Sequence, residues 1–173
     1  MDFKEYLLKR NKTGKEKLYT VLIYLVATAL ALFSFVMLFS LGSIFGGINL
    51  LVPVGIYYGA HKISERFKKE FEYIITDDLV DIDVVFNASR RKRLISFSIK
   101  EAEVLASVTN KEKNAVLNGD FDEVIDATTN SKGANVFFVV VDQDKRKLVK
   151  FEPPYAALEI LRKHAPSRVF ISE

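Results

Sequence analysis

The chain has 173 residues, contains no cysteine and carries a formal net charge of +3. The absence of cysteine excludes disulfides, thiolate catalysis and cysteine-ligated zinc. Residues 1–70 hold 10 Lys and Arg against 5 Asp and Glu, whereas residues 71–173 hold 15 against 17. The basic excess therefore lies beside apolar segments, which favours contact with lipid headgroups and argues against a nucleic-acid-binding protein.

Residues 1–17 form a basic N-terminal segment that is predicted to be cytoplasmic. They mix apolar side chains, such as Phe3 and Tyr6, with six cations. Two interpretations of this segment stay open. One is an amphipathic helix that lies on the inner leaflet, and the other is a solvated, partly frayed tail.

Residues 18–63 are predicted to form a two-helix transmembrane hairpin. Residues 18–41 and 44–60 contain no charge, and about 20 apolar residues are enough to cross a hydrocarbon core of roughly 30 Å. The turn is expected at Gly42-Ser43 or at Gly46-Gly47. A buried helical hairpin in a soluble protein is the less favoured alternative, because so long an uncharged stretch is hard to hide in a small chain.

The distribution of positive charge predicts the orientation of this hairpin. Cations precede the first apolar stretch and follow the second, whereas the connecting turn has none. The positive-inside rule therefore predicts a multi-pass protein of the cell membrane with both termini in the cytoplasm. The cations that are predicted to anchor the hairpin at the membrane interface are Lys15, Lys17, Lys62, Arg66, Lys68 and Lys69.

Residues 70–173 are predicted to form one cytoplasmic domain that begins with strands. Residues 79–86 alternate, with Val80 and Ile82 on one face and Asp81 and Asp83 on the other. Residues 136–141 are apolar on both faces, so they should lie centrally in a sheet or be covered on both sides; at an edge they would accept a partner strand. The other predicted strands are 71–76, 94–99, 103–109 (alternatively the start of a short helix), 121–128 and 147–151, with turns at Asp77-Asp78 and residues 87–90 and a loop over 110–120.

The periodicity changes after Pro153-Pro154. Ala157, Leu158 and Leu161 have the spacing of an apolar helical stripe, proline suits the first turn of a helix, and Pro166 ends the pattern. Seven strands followed by one helix indicate an α+β domain, in which the helix caps the open end of a strongly bent antiparallel sheet or barrel.

Two stretches of the chain carry a resemblance to a known family. They are FEYIITDDLVDIDVVFNASRRKRLISFSI and, near the C-terminus, LVKFEPPYAALEILRKHAPSRVF. Together with the apolar hairpin, they resemble a family of small Gram-positive bacterial membrane proteins with a pleckstrin-homology-like cytoplasmic domain of unknown function. The chain departs from that pattern at Asp77-Asp78, where the family often has an Asn-Gly type of turn, and at Pro153-Pro154, where it has a single proline. The resemblance implies a fold and a topology but no chemistry.

The run Arg90-Arg91-Lys92-Arg93 is the sharpest local feature of the domain. Pleckstrin-homology domains often hold phosphates with basic residues near the open end of the barrel, so the resemblance suggests contact with anionic lipid or phosphate. The favoured alternative is a solvated turn whose cations pair with Asp81 and Asp83. Neighbouring residues of a strand point to opposite faces, which argues against one shared pocket.

The remaining polar residues indicate no catalytic, metal or cofactor site. The cluster of Asp77, Asp78, Asp81 and Asp83 lacks the glycine and glutamate of a calcium loop and is better explained as a solvent-facing strand. The two histidines, His61 and His164, are about a hundred residues apart and are assigned to structure.

The sequence therefore predicts a membrane-anchored, non-enzymatic binding or scaffold module. Its partners are predicted to be the bilayer and either a protein or a second copy of the chain. No nucleic acid, small-molecule substrate or cofactor is predicted. The alternative is an anionic-lipid-sensing domain that uses Arg90–Arg93, and an enzyme is the least favoured class because no cluster of titratable groups supports one.

Overall fold

A computed structural model describes residues 3–40, 48–131 and 135–171. They divide into two compact units. Residues 12–68 form a helical unit, and the residues before 12 and after 68 form a β-rich unit. The domain therefore includes an N-terminal segment as well as the predicted residues 70–173.

The helical unit consists of two antiparallel helices, α1 (Gly14–Ser40) and α2 (Ile48–Glu65). Thr13 and Glu16 cap the start of α1 reciprocally: the Thr13 N–H donates to Glu16 Oε2 at 2.8 Å and the Glu16 N–H to Thr13 Oγ1 at 3.3 Å. A hydrogen bond of 2.8 Å joins the hydroxyls of Thr28 and Tyr57 across the two helices. The predicted turn at Gly42-Ser43 or Gly46-Gly47 lies outside the described residues.

Among the residues that the structure describes, one helix is long and apolar enough to cross a membrane, and that helix is α1. Large apolar side chains on both helices are exposed, among them Phe33, Phe39 and Leu51. The buried apolar residues of the helical unit are small: Ala27, Ala31 and Ala60. The helices thus meet through small side chains and present large ones outward.

Four strands form an antiparallel sheet in the order β1-β2-β3-β4. They are β1 (Phe3–Lys9), β2 (Lys69–Thr76), β3 (Leu79–Phe86) and β4 (Arg90–Ser98). The prediction of a tail or an interfacial helix over residues 1–17 is wrong for residues 3–9, which form an edge strand of this sheet. Tyr6 and Leu8 pack against the core, and backbone pairing with β2 satisfies polar groups that a tail would leave to water.

Five further strands form a second, mixed sheet in the order β6-β8-β7-β5-β9. They are β5 (Ala102–Ser107), β6 (Glu123–Asp126), β7 (Phe137–Asp142), β8 (Arg146–Phe151) and β9 (Val169–Phe170). β6 pairs with β8 in parallel, as does β5 with β9, whereas β5–β7 and β7–β8 are antiparallel. The prediction of one seven-stranded antiparallel sheet is therefore corrected to two sheets, and residues 102–107 are a strand rather than a helix.

The core lies between the two sheets and is closed by α3 (Tyr155–His164). Ala157, Leu158 and Leu161 of α3 are buried in it, as the apolar stripe predicts. The other face of the second sheet has its own apolar cluster, which the 3-10 helix Asn114–Asn118 and the residues around it cover. β7 is buried on both faces and lies between β5 and β8, so the prediction for residues 136–141 of a central, covered strand is confirmed.

Candidate binding surfaces

The basic run starts directly after a tight turn between β3 and β4. Asn87 and Ala88 both have positive φ values, of 50° and 53°, and β4 begins at Arg90. Such a turn matches the twist of a hairpin. Arg90 lies opposite Phe86, which in turn lies opposite Lys69 at the start of β2. The run is thus held at the end of the sheet where β2 begins and β1 ends.

Two of the four cations are bound to carboxylates on the outer face of the four-stranded sheet. Arg93 contacts Asp83 through Nε at 2.9 Å and Asp81 through Nη1 at 3.0 Å, and these carboxylates raise the pKa of the Arg93 guanidinium. Arg91 Nη2 lies 3.0 Å from Glu72 Oε1. Both arginines therefore stabilise the sheet instead of pointing at a free anion site.

The other two cations lie in register with core-facing residues. Arg90 pairs with Phe86 and Lys92 pairs with Val84. Both side chains are exposed, and neither has an ion pair with any residue that the structure describes. Lys69 lies on the same row, with its Nζ 5.7 Å from the centre of the Phe86 ring. The predicted four-residue site is thus split: two residues are neutralised, and two form a smaller patch with Lys69.

The predicted interface anchors lie mostly at one end of the helix pair. Lys15 and Lys17 are in the first turn of α1, whereas Lys62 is near the end of α2 and Arg66 and Lys68 follow it. Because the helices are antiparallel, these positions share an end. Lys62 lies 3.3 Å and Lys68 3.7 Å from a carboxylate oxygen of Glu65. Lys69 belongs to the β-rich unit.

A surface groove that the sequence did not reveal runs beside α3. Its larger part has a volume of about 500 Å³ and is lined by Tyr155, Glu159, Arg162, Lys163, Pro166 and Ile171. A smaller part of about 180 Å³ shares Tyr155 and Ile171 and is floored by Phe137, Pro153 and Leu158. Tyr155 is 63% exposed. The larger part is lined within residues 155–171, whereas the floor of the smaller part also comes from distant segments. The one local signal is that Tyr155 lies off the buried stripe of its helix.

The acidic cluster and His61 have structural partners, and His164 lies at a helix end. Asp78 accepts a hydrogen bond from Ser98 Oγ at 2.7 Å and lies 3.2 Å from Lys100 Nζ, and these contacts hold the pKa of Asp78 below its ordinary value. His61 lies 3.3 Å from the Tyr24 hydroxyl, and His164 is in the last turn of α3. In residues 3–40, 48–131 and 135–171, no three His, Cys, Asp or Glu side chains are placed to hold a metal ion.

The chain was compared with protein families, curated proteins and solved structures. Residues 2–171 match the model of a family described as "Bacterial PH-like domain (DUF6106)". The chain belongs to this family. No curated protein and no solved structure matches it.

The family match confirms the resemblance to a PH-like family of unknown function. PH-like domains are generally non-enzymatic binding modules and commonly bind lipids or proteins. The α+β class, the sheets and the C-terminal helix of this PH-like domain agree with that assignment. The sequence analysis missed the α3 groove and the buried carboxylate of Glu72. The floor of the groove at Phe137 and the burial of Glu72 both depend on tertiary neighbours that local patterns do not show.

Proposed function

We propose that this chain is a membrane-anchored, non-enzymatic binding module whose PH-like domain recruits a protein partner at the α3 groove. The observation that carries the proposal is the groove itself, which combines the exposed Tyr155 ring with an apolar floor and the cations Arg162 and Lys163. Exposed aromatic residues and arginines are the side chains that most often dominate binding at protein interfaces.

The chemistry of the groove favours a peptide segment over a small molecule. The groove is open to solvent, whereas small-molecule sites usually enclose most of their ligand. Arg162 and Lys163 outnumber Glu159 along its rim. An extended or helical segment with apolar and acidic side chains would match both the floor and the rim.

Strand pairing supports the proposal that both helices cross the membrane. β1 precedes α1 and pairs along its whole length with β2, which follows α2. Two paired strands cannot lie on opposite sides of a bilayer. If α1 crosses, the chain must return before Lys69, and α2 is the described helix in that interval. The basic ends of the helices then favour a cytoplasmic position for the PH-like domain.

The groove is tested by placing a photo-crosslinking amino acid at position 155 of the full chain in its native membrane. We expect a cross-linked protein at this position. The product should be lost when Arg162→Glu and Lys163→Glu reverse the charge of the rim and leave the apolar floor unchanged. The matched control carries the crosslinker at Glu101, in the exposed β4–β5 turn. Equal products at both positions, or none at position 155, would refute the groove. A product of twice the chain mass would identify a second copy as the partner.

An anionic-lipid-sensing role is the second candidate, and one observation favours it. Arg90, Lys92 and Lys69 lie at the sheet end where the chain enters the domain from the helical unit, and Arg90 and Lys92 have no carboxylate partner in the described residues. Each cation near an anionic surface contributes about 1 kcal/mol. Two such cations would bias the orientation of the domain at the membrane, but they would not form a strong binding site for a lipid headgroup.

This role is tested with the full chain in vesicles with and without phosphatidylglycerol. A fluorophore on Ala88→Cys, in the β3–β4 turn, should be quenched by brominated lipid more strongly when the anionic lipid is present. Salt and the double substitution Arg90→Gln/Lys92→Gln should remove the difference. Lys111→Gln/Lys145→Gln removes the same charge at other exposed sites and should have no effect. Equal quenching in vesicles with and without phosphatidylglycerol would contradict this role.

A further inference from the structure

Glu72 on β2 is a buried carboxylate with an incomplete set of hydrogen bonds. Its side chain lies on the outer face of the four-stranded sheet, yet the residue is only 1% exposed. Arg91 Nη2 lies 3.0 Å from Oε1. No donor among the described residues reaches Oε2. A buried acceptor without a partner is destabilising, so the arrangement calls for a further donor.

A same-face neighbour of Glu72 on the adjacent strand β1 is another carboxyl group. Glu5 of β1 lies on the same face, two residues from Leu7, the direct partner of Glu72, so the two carboxyl groups are diagonal neighbours on adjacent strands. Asp83 lies directly across on β3. The charged groups that face Glu72 from all packed strands are Glu5 and Lys9 of β1, Glu70 of β2, Asp81 and Asp83 of β3, and Arg91 and Arg93 of β4.

Two ionised carboxylates cannot donate to each other, but one proton between them supplies the missing donor. We propose that Glu5 and Glu72 share a proton and so form a pH-sensitive contact that holds β1 on the sheet. The arginines do not supply the missing donor, because Arg91 is bound to the other oxygen of Glu72 and Arg93 is bound to Asp81 and Asp83.

The direction of the pH dependence follows from the environment of Glu72. Burial raises the pKa of Glu72 above its ordinary value, the Glu5 carboxyl raises it further, and Arg91 opposes both. The folded chain therefore binds this proton more tightly than the unfolded chain does. The stabilisation is complete below the ordinary pKa of a glutamate and is lost as the pH rises through the raised value.

The contact has a consequence for the connection to the helices. β1 is an edge strand that pairs with β2 alone among the described strands, and four residues separate its end at Lys9 from the start of α1 at Gly14. Loss of the proton weakens the attachment of β1. It thereby loosens one of the two chain segments that tie the domain to α1 and α2.

The test uses the full chain in detergent and the substitution Glu5→Gln, whose amide donates to Glu72 without a titrating proton. As the pH rises above the ordinary pKa of a glutamate, the midpoint of thermal unfolding of the wild type should fall. The midpoint of Glu5→Gln should stay flat and exceed that of the wild type at the upper pH. Glu101→Gln removes an exposed carboxylate in a turn and should follow the wild type. An equal pH slope in Glu5→Gln and the wild type would overturn the proposal.

A measurement on the wild type decides the matter even if Glu5→Gln fails to fold. Infrared spectra taken as the pH is raised should show the carbonyl stretch of a protonated carboxylic acid after the ordinary glutamates have ionised. The band should disappear in Glu72→Gln and persist in Glu101→Gln. Loss of every such band from the wild type together with the bands of the ordinary glutamates would show that no proton is held more tightly and that none is shared.

Discussion

Tyr73 joins three segments that lie far apart in the chain. The residue is fully buried, and its hydroxyl donates to the carbonyl of Ala127 at 2.7 Å and accepts from the N–H of Glu152 at 3.2 Å. The carboxylate of Glu152 accepts from the N–H of Thr129 at 2.9 Å and from its hydroxyl at 2.6 Å. Burial raises the pKa of Tyr73, so the hydroxyl remains a donor across the physiological range.

Substitution Tyr73→Phe is expected to destabilise the domain. It leaves the ring in place but removes the hydroxyl, so the buried Ala127 carbonyl and Glu152 N–H both lose a partner. The free energy of unfolding should fall by about 1–3 kcal/mol. Denaturant titration of the full chain in detergent measures this change. Tyr155→Phe removes an exposed hydroxyl and should be neutral, and equal stability of the two variants would contradict the assigned role of Tyr73.

At the scale of single residues, the sequence predicts partners only where they lie on an adjacent hairpin strand. Asp81 and Asp83 are on the polar face of an alternating strand, so their pairing with the basic run could be expected, and Arg93 does contact both. The pairing of Arg91 with Glu72 could not, because it reaches across β3 to β2. A register shift between Ile82 and Asp83 also changes which residues of β4 share a face.

β1 is the element that is hardest to predict from the sequence. Its partner β2 lies about sixty residues further along, beyond both helices. Period-2 alternation is blurred, because Phe3 and Leu7 are apolar yet exposed on the outer face while Tyr6 and Leu8 pack against the core. A lysine-rich segment before an apolar helix matches an interfacial tail equally well, so only the tertiary pairing decides between them.

The two faces of β1 should therefore respond differently to a charge. Leu8→Asp places an unpaired carboxylate opposite Phe71 at the core, whereas Leu7→Asp places it on the exposed face. We expect Leu8→Asp to lower the free energy of unfolding by about 2 kcal/mol or more and Leu7→Asp to change it by about 0.5 kcal/mol or less. Thermal unfolding of the full-length variants in detergent measures both, and equal losses would contradict the strand assignment.

For the whole molecule, patterns along the chain indicate the α+β class and the order of most elements but not the division into two sheets. Periodicity shows which residues of one strand share a face, but it does not show which strands are neighbours in a sheet. β4 and β5 follow each other after a short turn yet belong to different sheets, and β5 pairs with β7 and β9 instead. The smaller part of the α3 groove depends on that arrangement, because Ser107 of β5 and Phe137 of β7 line it together with α3, so this part could not be found from local sequence.

The absence of cysteine makes the membrane topology directly measurable. Ser43→Cys lies in the segment between the two helices by sequence, and Ser89→Cys lies in the exposed β3–β4 turn. In intact cells, a membrane-impermeant maleimide should label Ser43→Cys but reach Ser89→Cys only after lysis, and the wild type should stay unlabelled. Labelling of Ser89→Cys in intact cells would show that the domain lies outside the cytoplasm, which is the opposite of the predicted orientation. If lysis were needed for both, neither helix would cross, because the pairing of β1 with β2 requires an even number of crossings between them.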